Sequence, residues 1–531
     1  MWCCAAPAPP SNGRCRRRGC SATTADEYPV DLHRAKGLTQ LMPTAAKHDF
    51  VVVTGYLPVD PIPGGSGRVR WRASRSGVNA ALHPIVARRH GTWIGWHGLT
   101  DRQLGPFDWD GISVQPVPMP ATDATDHLGG HCETSLAPLY HDGVEPPQFD
   151  RRWRQAYRRV NDRYSRAVAN IAAPGATVWV HDYQLQLVPA MLRVLRPDLL
   201  IGFFLHTPFP PIELFEKLPQ RDEILGGLLG ADLVGFQSRR ACANFCQAVT
   251  ESGEYRMDAD VVHPGGRRTS LGVFPVSVDT AGFERRARDP QTRRRAAQIR
   301  AELGEPRTVL LAVDHLDPAK GIEQRLDAYH ELLAEERLDP TTTLLIQVAV
   351  PGRQHGTERP DAWARVERKV AQINGLYSWI TRPAVHFLHQ ALTQQELVAL
   401  YLAADVMLAT PLRAGMNINA MEYLACRTDG TGTLLLSEGS GAAAGLPEAV
   451  TVNPYDIDTF KSAILAAIGS RNSDGRRIKM RAMRRRLREY DVHRWAAQYL
   501  DALNNTAAHP LPPGSKLHGR TPAPMPSGLT R

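Results

Sequence analysis

The chain has no run of about 18 apolar residues, so it offers no candidate membrane-spanning helix. It also lacks a basic cluster on its body. Of the formal net charge of +9, residues 1–48 carry +4 and residues 506–531 carry +3, which leaves about +2 for the rest. A nucleic-acid-binding face needs basic charge gathered on a folded domain, so nucleic acid is not an expected partner. Cysteine is sparse. Cys3, Cys4, Cys15 and Cys20 lie in the leading tail, and Cys132, Cys242, Cys246 and Cys426 are scattered through the body. That pattern excludes a disulfide framework and fits a reducing, cytoplasmic setting. Cys242 and Cys246, four apart in an apolar helical pattern, read as core packing rather than as metal ligands, and no metal is expected. Residues 1–20 have no continuous apolar core and make a poor secretory signal. Residues 1–48 and 506–531 show no periodicity and read as disordered tails, with Met42 an alternative start.

Between the tails the composition is that of a globular protein, with 43% apolar and 22% charged residues, and 531 residues suffice for two or three domains. Short apolar runs alternate with helical patterns. The first series has strands near 50–53, 93–96, 177–181, 200–205, 233–236 and 271–278. Residues 100–150, rich in Gly, Pro and His, read as loop. A charged helix at 290–303 leads to a second series, with strands near 308–313, 343–350, 385–388, 405–409, 433–436 and 449–452. Strands alternating with helices predict parallel sheets covered on both faces. The expected fold is therefore α/β: two doubly wound, Rossmann-like domains, 49–288 and 289–490, then a helix at 491–505. Ligands belong at the carboxyl ends of such strands, here in the cleft between the domains.

Polar residues gather at those ends. Asp182 follows Val178-Trp179-Val180-His181, and His206 follows Phe203-Phe204-Leu205. Lys320 stands in the turn after the strand that ends near Asp314-His315, where a phosphate would lie. Arg353 follows another strand and is placed to meet an anion. The stretch 412–423 joins a buried strand to a helix through Gly415-Met416-Asn417. Its amides suit a diphosphate, and Glu422 suits ribose hydroxyls. Gly77, ahead of the first helix, suits a loop that closes over a ligand.

These residues sit within long ordered motifs. They include Trp93-Ile94-Gly95-Trp96-His97-Gly98, Val178 through Val188, Gly202 through Phe215, Leu228 through Gln237, Gly415-Met416-Asn417, Glu422-Tyr423 and Leu436-Ser437-Glu438. Over 49–505 the chain resembles the retaining glycosyltransferases that make trehalose 6-phosphate. The resemblance implies the GT-B fold and transfer of glucose with retention, without a metal, from UDP-glucose or GDP-glucose to glucose 6-phosphate. It implies no further cofactor, no membrane and no nucleic acid, and it leaves homo-oligomerisation open. By the same resemblance Asp182 and His206 stand at the reaction centre, Trp96, Asp182 and Arg353 on the acceptor, and Lys320 on the diphosphate. Gly77, His315, Met416, Asn417, Ile418 and Glu422 stand around the donor. The implied mechanism is a front-face displacement in which the leaving phosphate takes the acceptor proton, with Lys320 stabilising the charge.

Several positions depart from the family pattern. Gly55-Tyr56 stands where the family has Asn-Arg, and Ser76-Gly77 where it has Gly-Gly. Leu128 and Ala137 replace a Tyr and a Trp of the acceptor pocket. His315 replaces an Arg, and Ala414 an Asp. Losing one charge-assisted contact to a phosphate costs about 1.5–3 kcal/mol. Two alternatives therefore stay open from the sequence: a relative repurposed for another acceptor, such as a cyclitol coupled without a glycosidic bond, and a catalytically silent binding homologue.

Overall fold

The computed structural model describes residues 47–62, 69–74, 77–142, 144–351, 360–380, 382–469 and 473–507. Arg353, Ser76 and most of both tails lie outside the described residues. Among those described, no helix is long and apolar enough to cross a membrane.

Two sheets organise the molecule. The first runs, edge to edge, Arg256–Asp258, Val261–His263, Thr269–Val273, Leu233–Phe236, Leu200–Leu205, Ala172–His181, His48–Tyr56, Thr92–Trp96, Ile112–Val117 and Phe107–Trp109. Its inner strands are parallel, and antiparallel strands close both edges. The second sheet is parallel throughout and runs Val385–Leu388, Thr343–Val350, Thr308–His315, Val406–Ala409, Thr433–Ser437 and Val450–Val452. Parallel strands covered on both faces must be apolar on both faces. That is why Val51-Val52-Val53 and Leu310-Leu311-Ala312 read as unbroken runs, and all six side chains are buried.

The region 100–150 is a correction to the sequence reading. It contains two strands, Phe107–Trp109 and Ile112–Val117, and a helical passage that begins at Ala121 and runs as a π-helix over Ala124–Leu136 and an α-helix over Ala137–Tyr140. Tertiary packing makes this possible where local propensity does not. Gly130 lies against the Trp153 ring, where an added Cβ would come within 2.4 Å of it. His127 and His131 both lie against Tyr157, with ring centroids 5.3 and 4.5 Å away. The structure also adds a helix at Thr280–Arg288 that the sequence pattern does not announce. Three arginines, Arg288, Arg484 and Arg488, converge on its Glu284.

The last helix, Val492–Ala507, returns to the first sheet. Tyr499 stacks on Trp179 (4.6 Å between centroids, 13° between planes) and donates to the carbonyls of Phe203 and Leu233 at 3.0 and 3.3 Å. Gly202 and Gly235 make the groove for it: a Cβ on either would come 2.5 or 2.7 Å from Tyr499. The chain's end thus ties back to its first half. Tyr499→Ala is expected to destabilise the protein by about 3–5 kcal/mol, the usual cost of emptying an aromatic site, read from the midpoint of urea unfolding.

Candidate active site

The site is built where the carboxyl ends of the two sheets meet. On the first sheet, strand Ala172–His181 ends at Asp182 and strand Leu200–Leu205 ends at His206. Asp182 holds φ 68 and ψ 170, a backbone region that non-glycine residues avoid at a cost of roughly 1–3 kcal/mol. The strain is held by its neighbours. Its N–H donates to Phe204 O at 2.9 Å, and its Oδ1 accepts from Thr207 N and Oγ1 at 3.2 and 3.0 Å. Burial pushes its carboxyl up to about 6, against the opposing pull of the Thr207 hydrogen bonds.

His206 is neutral, because burial pushes its pKa down to about 3. Its tautomer follows from its partners. Gln237 Oε1 accepts from Val276 N at 2.9 Å, so its amide nitrogen faces His206 Nδ1 at 3.4 Å and donates there. The proton then rests on His206 Nε2, which donates to His181 Nδ1 at 3.1 Å. Gln237, the last residue of the motif that starts at Leu228, is a positioning group that sequence reasoning passes over.

On the second sheet, strand Val406–Ala409 leads to the turn that contains Gly415, and helix Ile418–Cys426 follows. The turn is laced to the next strand's end. Ser437 Oγ donates to Pro411 O at 2.5 Å, Ala414 N to Gly439 O at 3.1 Å, and Gly441 N to Ala414 O at 2.8 Å. This is the structural work of Leu436-Ser437-Glu438. Asn417 holds φ 103 at the helix start, and its side chain does not cap the helix. Glu422 lies one turn in and is buried, accepting from Tyr401 Oη at 2.9 Å. Burial pushes its carboxyl up to about 7.

Lys320 closes a short 3-10 turn, Pro318–Lys320, that Asp317 caps by accepting from Ala319 N at 2.8 Å. This turn rests on the other one: Leu412 N donates to Ala319 O at 2.8 Å, and a Cβ on Gly321 would come 2.4 Å from Thr410 O. Beneath both lies Arg325, fully buried. It pairs with Asp314 at 2.8 Å and donates to Gln347 Oε1 at 2.7 Å, Thr410 Oγ1 at 3.2 Å and Lys320 O at 3.3 Å. Sequence reasoning misses this residue. Its one signal is position, since Arg325 falls on the buried stripe of helix Ile322–Ala334 beside Ile322, Leu326 and Tyr329.

The two halves touch. Met416 Sδ lies 3.2 Å from His206 Nδ1, and a Cβ on Gly415 would come 2.0 Å from His206 O. Gly77 faces Ile418, and an added Cβ there would lie 3.0 Å from that side chain. The structure therefore brings together Asp182, His206, Gly77, Lys320, Met416, Asn417, Ile418 and Glu422. His315 ends strand Thr308–His315 as an exposed residue near Asp317. Trp96 is fully buried, its indole N–H donating to Leu99 O at 3.1 Å, with the Tyr56 ring 5.5 Å away. Leu128 and Ala137 are buried as well. Among the described residues there is no cluster of His, Cys, Asp or Glu able to hold a metal ion.

Two doubly wound domains that face each other across such a cleft, with an amide-rich turn, a lysine and a buried carboxylate on one side, define a GT-B glycosyltransferase. The sequence model of glycosyltransferase family 20 matches residues 49–505, and the chain belongs to that family. It is 47% identical over 476 residues to a trehalose-6-phosphate synthase of Mycolicibacterium gilvum, covering 87% of this chain and 94% of the relative. It superposes on the trehalose-phosphate synthase of Burkholderia xenovorans in complex with glucose-6-phosphate with a TM-score of 0.79. That match has 26% identity over 86% of this chain and 99% of the other. An E. coli trehalose-6-phosphate structure bound with UDP-2-fluoro glucose gives a TM-score of 0.74 at 26% identity, covering 86% and 98%.

The Arg325 network gives the first test of this site. Arg325→Met leaves Asp314 buried without its cation and is expected to cost about 3–5 kcal/mol, measured by chemical denaturation.

Proposed function

We propose that this protein transfers glucose, with retention, from a nucleotide-glucose donor to glucose 6-phosphate and so forms trehalose 6-phosphate. What supports this reading is that Lys320, the turn at Gly415–Asn417 and the buried Glu422 are kept on the second domain, with Met416 of that turn against His206 beside Asp182. The names of the relatives favour this reading over cyclitol coupling or a silent binding role. Residues 49–288 supply the acceptor side and residues 289–490 the donor side. Both UDP-glucose and GDP-glucose fit the chemistry, the reading gives no step to a metal, and the reaction is assigned to the cytoplasm.

In the reaction the bond from glucose C1 to the diphosphate oxygen breaks, and a bond from C1 to the acceptor hydroxyl oxygen forms on the same face. The hydroxyl proton passes to the departing phosphate oxygen. Lys320 stabilises the charge that builds on the diphosphate. Asp182 and the Met416–His206 contact align the acceptor against C1. A neutral His206 cannot serve as the proton donor, so its part is orientation.

Incubation of the full chain with UDP- or GDP-glucose and glucose 6-phosphate is expected to yield a disaccharide phosphate by mass spectrometry. Failure with both donors, with no nucleotide released, overturns the proposal. Lys320→Ala is expected to lower kcat by on the order of 10²-fold.

Glu422 predicts a pH effect with a defined sign. Ribose hydroxyls donate, so the acceptor form is the carboxylate, which is populated above about pH 7. Donor KM should therefore fall as pH rises through 7. Glu422→Gln should abolish that dependence and raise donor KM by roughly 10- to 100-fold, the scale of a charge-assisted hydrogen bond. A wild-type donor KM that is flat from pH 6 to 8 would remove Glu422 from the ribose site.

A further inference from the structure

Among the described residues, ion pairs cross between the domains at Glu284, to Arg484 and Arg488, and at Asp142, to Arg413 beside the residues assigned to substrate. Helix Ala137–Tyr140 of the first domain ends at His141, whose Nδ1 lies 2.8 Å from Ala137 O. The next residue, Asp142, holds a left-handed backbone at φ 56. Its Oδ2 lies 3.1 Å from Nε of Arg413, in the second domain, one residue ahead of Ala414-Gly415, an ion pair whose Nε–H is not aligned as a hydrogen bond. Arg413 also reaches the Lys320 turn, its backbone N–H donating to Ala319 O at 3.3 Å. The Arg413 side chain is 13% exposed and that of Asp142 33%. Burial disfavours the Arg413 charge, Asp142 offsets this in part, and the neighbouring Arg240 adds to the burial effect. The His141 ring lies within electrostatic reach of Asp317, Lys320 and Arg413, all on the facing domain.

We propose that Asp142 forms an inter-domain latch, in which it holds Arg413 and so positions the donor turn and the Lys320 turn against the acceptor domain. Breaking it shifts the protein toward an open arrangement, and a ligand that needs the closed one binds more weakly by the lost population. Asp142 and Arg413 are positioning residues, because they act through the turn that carries Gly415 and Met416. The inference rests on the proposed reading of that turn as the donor site.

A double-mutant cycle with Asp142→Asn and Arg413→Gln tests it. Asn tolerates the left-handed backbone, so the loop is kept. UDP is titrated by calorimetry into the full chain, and small-angle scattering gives the radius of gyration of the unliganded chain. Each single variant should weaken UDP binding by roughly three- to tenfold, and the double variant no further than the weaker single. The radius should rise in all three. Donor KM should rise by the same factor with kcat at saturating donor unchanged, and Asp142→Glu should restore both. Additive effects of the two substitutions, or an unchanged radius in Asp142→Asn, overturn the latch. A wild type that binds UDP but makes no trehalose 6-phosphate refutes the proposed function and leaves the cycle readable. If UDP does not bind, the scattering comparison alone decides.

Discussion

Three backbones are layered at the centre of this molecule with no side chain between them. A Cβ on Gly415 would come 2.0 Å from the His206 carbonyl oxygen, and a Cβ on Gly441 would come 1.8 Å from that of Gly415. Only glycine permits such approach. The rest of the site follows from it. Met416 is delivered onto the His206 ring, Asn417 turns the chain through a left-handed conformation, Ile418 meets Gly77, and Glu422 arrives one turn later beneath the helix start. The relative placement of the two sheets is fixed at the same contact.

Much of the architecture is legible because parallel strands are buried on both faces and so write themselves as continuous apolar runs. The strand-end residues Asp182, His206 and Lys320 are legible for the same reason, since the end of a run marks where a ligand can reach. What stays hidden depends on partners distant in sequence. The helical passage through 121–140 has the composition of a loop and takes its order from Trp153 and Tyr157. The last helix is visible as a helix, but its destination is set by two glycines, Gly202 and Gly235, that read as ordinary strand positions. Arg325 looks like a surface residue until the topology buries it between Asp314 and Gln347.

Burial acts on the titratable groups of the site in one direction, toward their neutral forms. Burial raises the carboxyls of Asp182 and Glu422 and keeps His206 uncharged. Cationic charge is left to Lys320 and its surroundings. Asp317 is held below the usual carboxylate range, against the effect of its own burial, by Lys320, His141, His315 and its hydrogen bond from Ala319. Lys320 therefore has a carboxylate neighbour that partly balances its charge.

The two sides of the cleft differ in how they are specified. The side that carries Gly415 is shaped mainly by backbone: glycines in close contact, a left-handed Asn417, and carbonyls laced between turns. A side chain added at Gly415 or Gly441 collides with main chain and has nowhere to relax. The side that carries Trp96 is shaped by side chains, and Tyr56, Leu128 and Ala137 show that these can be exchanged while the core closes around them. Tyr56 covers Trp96, and Leu128 and Ala137 are buried. Departures from the family pattern fall on side chains on both sides, His315 and Ala414 as well as Tyr56, Leu128 and Ala137. Side chains can be traded without moving the strands that hold Asp182 and His206, whereas the backbone contacts at Gly415 cannot.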